Sequence, residues 1–88
     1  MNQQERHQSY VISIAARMVG VQTHTLRYYE TIGIIQPSRS SGRIRLYSEE
    51  DMAQLRRVKT LTEELGVNLA GVEVILHMLE RVSGLQHR

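Results

Sequence analysis

Arginines are the side chains in this sequence whose type and placement most clearly suggest a chemistry. Residues 1–47 hold six arginines against Glu5 and Glu30, a balance of +4, whereas residues 48–88 hold five basic and seven acidic residues, a balance of −2. The planar guanidinium can donate two parallel hydrogen bonds to phosphate oxygens and keeps its charge at any physiological pH. The basic half therefore favours a polyanionic partner, and the acidic half argues against a uniformly cationic surface.

Catalysis and metal binding find no support among the other polar residues. None of the four histidines has a second histidine or a carboxylate at a recognised ligand spacing: His7, His24, His77 and His87. The chain has no cysteine, which excludes thiolate metal sites and thiol redox chemistry and favours the cytosol. The acidic clusters at 49–51 and 63–64 lie at predicted helix ends, where solvated acids are common. We predict no enzyme, no cofactor and no metal site.

Residues 23–32 have the composition of a helix that reads DNA. Such a helix needs small polar residues at its start to reach base edges, and cationic or hydroxyl groups beyond them to hold phosphates. Thr23, His24 and Thr25 suit the first task. Arg27 and Tyr28 suit the second. An ordinary amphipathic surface helix could have the same residues, so this segment alone does not decide the function.

Residues 34–47 predict a β-hairpin beside that helix. The segment holds the only proline, three serines and a glycine, so residues 34–35 and 44–47 are expected to flank a turn as two short strands. Arginine and tyrosine occupy odd positions of the second strand, and isoleucine and leucine occupy even ones, which predicts one cationic and one apolar face. The alternative is a solvated hairpin. Four side chains are expected to hold backbone phosphates, three by charge and one by its hydroxyl: Arg39, Arg43, Arg45 and Tyr47.

The turn at residues 66–68 is a further candidate for phosphate binding. Asn68 is expected to cap the helix that follows, and the first N–H groups of a helix can bind an anion. A plain helix cap is the alternative. Together with the second helix and the hairpin, the turn is expected to complete one continuous basic surface.

Short helices must position these side chains. Ser13 and Gly20 predict the two ends of a first helix. Thr23 and Gly33 do the same for a second, which Leu26 is expected to anchor in the core. Only two or three residues separate the two helices, which is the spacing of a helix-turn-helix motif.

Two longer helices are expected after the hairpin. Ser48 precedes three acidic residues, which is a strong helix start, and Gly66 ends that third helix. The fourth helix carries an apolar stripe: Val72, Ile75, Leu76, Leu79 and Val82. Val74 and Met78 lie off this stripe, so the helix needs apolar cover on two sides.

The expected fold class is mainly α, a winged helix-turn-helix with a β-hairpin wing and two further helices. A chain of 88 residues has room for one domain, which we place at residues 10–82, between a disordered tail at 1–9 and a C-terminal tail at 83–88. No apolar run approaches the roughly 20 residues of a membrane span, and the N-terminus has no apolar signal core.

In order and spacing these residues resemble the DNA-binding domain of the MerR family over about residues 10–82. The resemblance is carried by residues 12–21, 25–30 and 33–35, and by Pro37, the wing arginines and Tyr47. It implies a bacterial transcription regulator that binds near-palindromic promoter DNA as a dimer in its full-length form, in the cytoplasm at the nucleoid. By position it implies base contacts from residues 23–25, phosphate contacts from Arg27, Tyr28 and the wing, and a second wing at Asn68.

The segment 66–72 is similar to two branches of that family, the heat-shock repressors and the nitrogen-control repressors related to the glutamine synthetase regulator. Residues 10–13 resemble the opening of the heat-shock branch, which favours a stress-response repressor. RNA polymerase or a chaperone co-regulator is then implied as a further partner, and no membrane. The family usually has a better helix cap at the position of Gln22, and we expect Thr23 to take over that role.

Members of the family dimerise through a long helix after the fourth one, and many carry an effector domain beyond it. Neither is expected in residues 83–88, so the chain is either a truncated domain or dimerises through what remains. The apolar surplus of Val74 and Met78 fits a missing partner surface. Family members that sense metals use cysteines in that later region.

Two other functions fit the same sequence. An excisionase-like architectural protein shares the small winged fold and would coat tandem DNA sites rather than an inverted repeat. A protein-interaction module would dock through the fourth helix and would have no salt-sensitive affinity for DNA.

Overall fold

The computed structural model describes the backbone of residues 8–86 and the side chains of residues 8–82. In chain order its elements are β1 (Ser9–Tyr10), α1 (Ile12–Val19), α2 (Thr23–Thr31), β2 (Ser38–Arg39), β3 (Arg45–Ser48), α3 (Glu49–Lys59), a π-helical turn (Thr60–Glu64) and α4 (Leu69–Gln86). The predicted mainly helical winged helix-turn-helix is confirmed. The chain divides into two compact units, residues 1–57 and 58–88, and each is described by itself.

Helix α1 ends where the sequence predicted, at Gly20. This glycine has a φ of 91°, in the left-handed region that costs a side chain energy, and its N–H donates to the Ala16 carbonyl at 2.8 Å. The predicted start was wrong. The helix begins at Ile12, one residue before the expected Ser13 cap, and extended Val11 occupies the cap position without a side-chain hydrogen bond.

Helix α2 is bounded by Gln22 and Ile32. Gln22 is extended and makes no side-chain cap, while its carbonyl accepts the Thr25 N–H at 3.1 Å. Thr23 is the first residue of the helix, so the expectation that it caps the helix was wrong. Gly33, with a φ of 86°, turns the chain out of α2, as expected for a glycine just past a helix end.

The three strands form one antiparallel sheet in the order β1-β3-β2. β2 was expected at residues 34–35 but lies at 38–39. Ile34 and Ile35 are buried without forming a strand. The Ile34 N–H donates to the Tyr29 carbonyl at 2.9 Å, so it pairs with the end of α2 and not with a neighbouring strand. β1 was not predicted, and it includes Ser9 of the expected N-terminal tail. Ser9 pairs with Ser48, and Tyr10 pairs with Tyr47.

The predicted faces of β3 were wrong. Tyr47, placed on the cationic outer face, is fully buried, whereas Ile44 just before the strand is 55% exposed. Successive side chains of a strand point to opposite faces, so the choice of the buried face decides which side chains are buried and which are exposed. Tyr47 therefore lies in the core, whereas Arg45 on the same face and Leu46 on the other are both half-buried.

The core of the first unit brings both helices of the motif, the sheet and α3 together. Eight buried side chains form it: Ala15, Ala16, Val19, Leu26, Ile35, Tyr47, Met52 and Leu55. The prediction that Leu26 anchors α2 is confirmed, because this side chain has no exposed surface. Burying one leucine contributes about 2 kcal/mol, so Leu26 alone is a substantial tether for a two-turn helix.

Helix α3 begins with the reciprocal cap that the sequence predicted. The Asp51 N–H donates to the Ser48 hydroxyl at 3.0 Å, and the Ser48 N–H donates to the Asp51 carboxylate at 2.9 Å. Each donor would otherwise be unpaired at the helix start. The Tyr10 hydroxyl donates to Glu49, so the N-terminal strand is also fastened to this end of α3.

In the second unit a π-helical turn replaces the regular α-helix expected as far as Gly66. Its Thr62 hydroxyl donates to the Val58 carbonyl at 3.0 Å, and the Val67 N–H reaches the Leu61 carbonyl at 2.8 Å. Gly66 has a φ of 71°. Helix α4 continues to Gln86, four residues beyond the predicted end of the domain.

Much of the apolar surface of α4 is exposed. Val72 is fully buried, but four other apolar side chains are about half exposed or more: Val74, Met78, Leu79 and Val82. The two residues predicted to lie off the stripe are among them. The remaining parts of the expected tails, residues 1–7 and 87–88, lie outside the described residues.

Candidate nucleic-acid interface

Helix α2 presents one polar face to solvent. His24, Arg27 and Tyr28 are exposed, and their spacing of three and four residues places them on the same side of the helix. Thr31 continues this face one turn later, and its hydroxyl donates to the Arg27 carbonyl at 3.0 Å. Leu26 holds the opposite side in the core. Helix α2 therefore has an exposed polar face and a buried apolar anchor, and the base-reading role of the exposed face stays a prediction.

The two threonines predicted to read bases lie differently from His24. Thr23 and Thr25 are half-buried in the first turn, on either side of the exposed imidazole. His24 is thus the predicted base-reading residue with the most open access. The Tyr28 side chain, predicted to hold a phosphate, is 51% exposed.

The tip of the wing is organised by Ser40. Its N–H donates to the Ile44 carbonyl at 2.9 Å, and its carbonyl accepts the Arg43 N–H at 2.8 Å. Its hydroxyl accepts the N–H groups of Gly42 and Ile44, both at 3.2 Å. This serine therefore closes the hairpin loop with both its backbone and its side chain.

Arg43 occupies an unusual backbone position in that loop. Its φ of 68° makes it the only non-glycine residue with a positive φ in the described part of the chain. A three-residue hairpin loop commonly ends in this left-handed conformation, and glycine is the residue that adopts it without cost. Here an exposed arginine takes that place at the tip, which leaves its side chain accessible.

Glu30 joins α2 to the wing through both of its carboxylate oxygens. Arg39 Nη2 donates to Oε2 at 2.7 Å, and Arg45 Nε donates to Oε1 at 2.5 Å. The side chains are 43%, 28% and 23% exposed for Arg39, Arg45 and Glu30, so the cluster lies at the edge of solvent. The two arginines belong to neighbouring strands and are direct register partners.

The ion pair between Glu30 and Arg45 shifts the pKa of both groups. The hydrogen bond from Arg45 is the main cause that holds the pKa of Glu30 below its ordinary value, and partial burial opposes it. The same hydrogen bond raises the pKa of Arg45. The cluster is therefore ionised at neutral pH, with two positive charges held around one negative charge.

Tyr47 does not fit the role predicted for it. Its hydroxyl is buried and has no hydrogen-bond partner among the described residues, and burial raises its pKa. A phosphate could reach this oxygen only if the core opened. The predicted phosphate contact from Tyr47 was therefore wrong: this side chain packs in the core, on the same face of β3 as Arg45.

Asn68 lies in the second unit and caps α4 as predicted. Its side-chain oxygen accepts the Gly71 N–H at 2.9 Å, and its carbonyl accepts the Val72 N–H at 2.9 Å. Its contact with a phosphate, and the continuous basic surface with the wing, stay predictions.

Two residues that shape the site were not singled out by the sequence. Glu30 belongs to the segment 25–30 that carries the family resemblance, but the sequence predicts no contact for it, and it predicts Ser40 only as part of a turn. A like-charged pair directly across two strands is destabilising, so the Arg39–Arg45 register would have called for a nearby carboxylate. That register becomes visible only once the strands are placed.

The described residues offer neither a metal site nor a membrane-spanning helix. Within residues 8–86, no three histidine, aspartate or glutamate side chains are grouped so that they could hold a metal ion. Over the same range, no helix is both long enough and apolar enough to cross a membrane.

Residues 10–79 match the family described as MerR HTH family regulatory protein. The chain belongs to the MerR family. A protein named heat shock protein HspR, from Streptomyces coelicolor, is 43% identical over 79 residues, which are 90% of this chain and 52% of that protein. The HTH-type transcriptional regulator GlnR of Bacillus anthracis is 32% identical over 71 residues, 81% of this chain and 54% of GlnR. The chain thus spans about half the length of these MerR-family relatives.

A solved structure has the same fold. It is the crystal structure of HiNmlR, a MerR family regulator lacking the sensor domain, bound to promoter DNA. The TM-score is 0.75, with 21% sequence identity, over 91% of this chain and 67% of HiNmlR. At this identity the likeness concerns the MerR-type fold alone.

Proposed function

We propose that this chain is the DNA-binding domain of a MerR-type transcription regulator. Helix α2 enters the major groove and reads bases with His24, assisted by Thr23 and Thr25. Arg27 and Tyr28 hold the backbone beside it. The wing arginines lie along the neighbouring phosphates, and the turn at Asn68 supplies a second wing.

One observation carries this proposal: two wing cations are tied to helix α2. The hydrogen bonds that Arg39 and Arg45 donate to Glu30, at 2.7 and 2.5 Å, fasten both arginines to the helix that bears the exposed His24, Arg27 and Tyr28. A reading helix and a phosphate-binding wing must be held at a fixed separation to engage one stretch of duplex.

We further propose that the protein in its full-length form binds a near-palindromic promoter site as a homodimer and acts as a stress-response repressor, in the cytoplasm at the nucleoid. The 43% identity to the protein named HspR supports the heat-shock branch over the nitrogen-control branch, where the identity to GlnR is 32%. RNA polymerase or a chaperone co-regulator would be a further partner.

The test begins with selection of duplexes from a random library by the chain of residues 1–88. The Kd for the selected duplex is then measured by fluorescence anisotropy at several salt concentrations. If Arg27, Arg43 and the two wing-strand arginines neutralise about three to four phosphates, log affinity should fall against log salt with a slope of about −3 to −4. A slope near zero, or no enrichment of any sequence, contradicts the proposal and leaves the protein-interaction module.

Footprinting on the selected DNA separates the proposal from an excisionase-like protein. A regulator of this type should protect two half-sites related by a twofold axis, with centres about one helical turn apart or a multiple of it. An architectural protein should instead protect direct repeats, and protection should spread along the duplex as concentration rises.

A further inference from the structure

Two arginines face each other across the wing. Arg39 on β2 and Arg45 on β3 are Cα register partners, and like charges directly opposite on a sheet are destabilising. A wing that needed only general positive charge could place its arginines on alternate positions and avoid this repulsion. The close pair of arginines therefore calls for a function that requires it and for a nearby group that offsets the repulsion.

Glu30 is the group that offsets the repulsion between the two arginines. Each of its oxygens accepts from a different arginine, so one carboxylate fixes both guanidiniums. A guanidinium has five N–H donors, and among the described residues each arginine directs one nitrogen to Glu30. The cluster keeps a net charge of +1, remains partly exposed, and has most of its donors still available to an anion.

We propose that Glu30 is a positioning residue that holds Arg39 and Arg45 as one two-guanidinium fork for a single backbone phosphate of the bound DNA. This inference rests on the proposed DNA-binding function and assigns its wing contact. Without Glu30, each arginine is a long mobile side chain repelled by the other, and ordering both on binding costs conformational entropy. Fixing them beforehand removes that cost.

The proposal reverses the result that simple charge counting gives. Removing a carboxylate near DNA should strengthen binding if only net charge matters, and also if Glu30 merely occupies the place of the phosphate until DNA displaces it. If Glu30 positions the fork, its loss should weaken binding although the protein becomes more positive.

The experiment compares Glu30→Gln with Glu50→Gln, which makes the same change in charge at an exposed position in the first turn of α3. For the selected duplex, Glu30→Gln should raise the Kd about tenfold, the scale of one lost charge-assisted phosphate contact. Glu50→Gln should leave the Kd unchanged or slightly lower. Equal or tighter binding by Glu30→Gln overturns the fork. If the wild-type chain binds no DNA at all, the proposed function itself is overturned.

A second measurement separates positioning from a general loss of structure. Neutral methylphosphonates are placed one at a time along the duplex. In the wild type one position should weaken binding most, and Arg39→Ala, Arg45→Ala and Glu30→Gln should each become insensitive at that same position. Sensitivity lost at two different positions for the two arginines overturns the shared fork, and this comparison does not require Glu30→Gln to fold.

Discussion

Arg45 donates its Nε proton to Oε1 of Glu30 at 2.5 Å, which ties the last strand of the wing to the final turn of α2. The bond spans 15 residues of sequence. Partly exposed ion pairs contribute little to stability, commonly under about 1 kcal/mol. The importance of this pair therefore lies in geometry, because it sets where the wing cations stand relative to α2.

This ion pair predicts a pH dependence of stability. The folded-state pKa of Glu30 lies below its ordinary value of 4.5, so its contribution is complete above that pH and is lost as the pH falls through the folded-state value. Urea unfolding measured from pH 7 to pH 3 should show the wild type losing more stability below about pH 4.5 than Glu30→Gln. Parallel curves for the two proteins would contradict the prediction.

Replacing Arg43 by glycine should move stability and DNA affinity in opposite directions. Glycine adopts the φ of 68° without strain, so Arg43→Gly should stabilise the fold by about 0.5–1 kcal/mol while losing a phosphate contact. Arg43→Ala is the control, since it loses the same contact but keeps the strain. Thermal unfolding and anisotropy measure the two effects. Unchanged affinity in both variants would remove Arg43 from the interface.

Tyr47→Phe should stabilise the protein and leave DNA affinity unchanged. The buried hydroxyl has no partner among the described residues, and an unsatisfied buried hydroxyl costs about 1 kcal/mol or more. Tyr28→Phe is the comparison, since it removes an accessible hydroxyl from the exposed face of α2 and should weaken binding a few-fold. A large loss of DNA affinity in Tyr47→Phe would instead support a phosphate contact by the Tyr47 hydroxyl.

His24→Ala and Arg27→Ala should differ in how they affect binding to different sequences. A phosphate contact carries no sequence information, so Arg27→Ala should weaken binding to the selected site and to its single-base variants by a similar factor. His24→Ala should instead reduce the preference for one base position, at a cost of about 1–3 kcal/mol for the correct base. Competition assays over all single-base variants measure this. Uniform losses in both proteins would show that His24 does not read bases.

Local features were predictable because their partners lie a few residues apart. Ser48 and Asp51 cap α3, Asn68 caps α4, and Gly20 ends α1, each through contacts within about one helical turn. The helix-turn-helix and the exposed face of α2 follow from the same short-range periodicity. These features depend on backbone donors that the neighbouring residues must satisfy, so the local sequence contains the needed information.

The sequence by itself thus determined the winged helix-turn-helix, the exposed polar face of its second helix and the arginine-rich wing. Tertiary structure alone decided which face of β3 is buried, because alternation permits either choice and only packing against the core selects Tyr47 for burial. Tertiary structure also decided that Glu30 is the ion-pair partner of the wing arginines Arg39 and Arg45. The Arg39–Arg45 register and its approach to Glu30 depend on how the hairpin docks against α2, a relation between distant segments that no local pattern encodes.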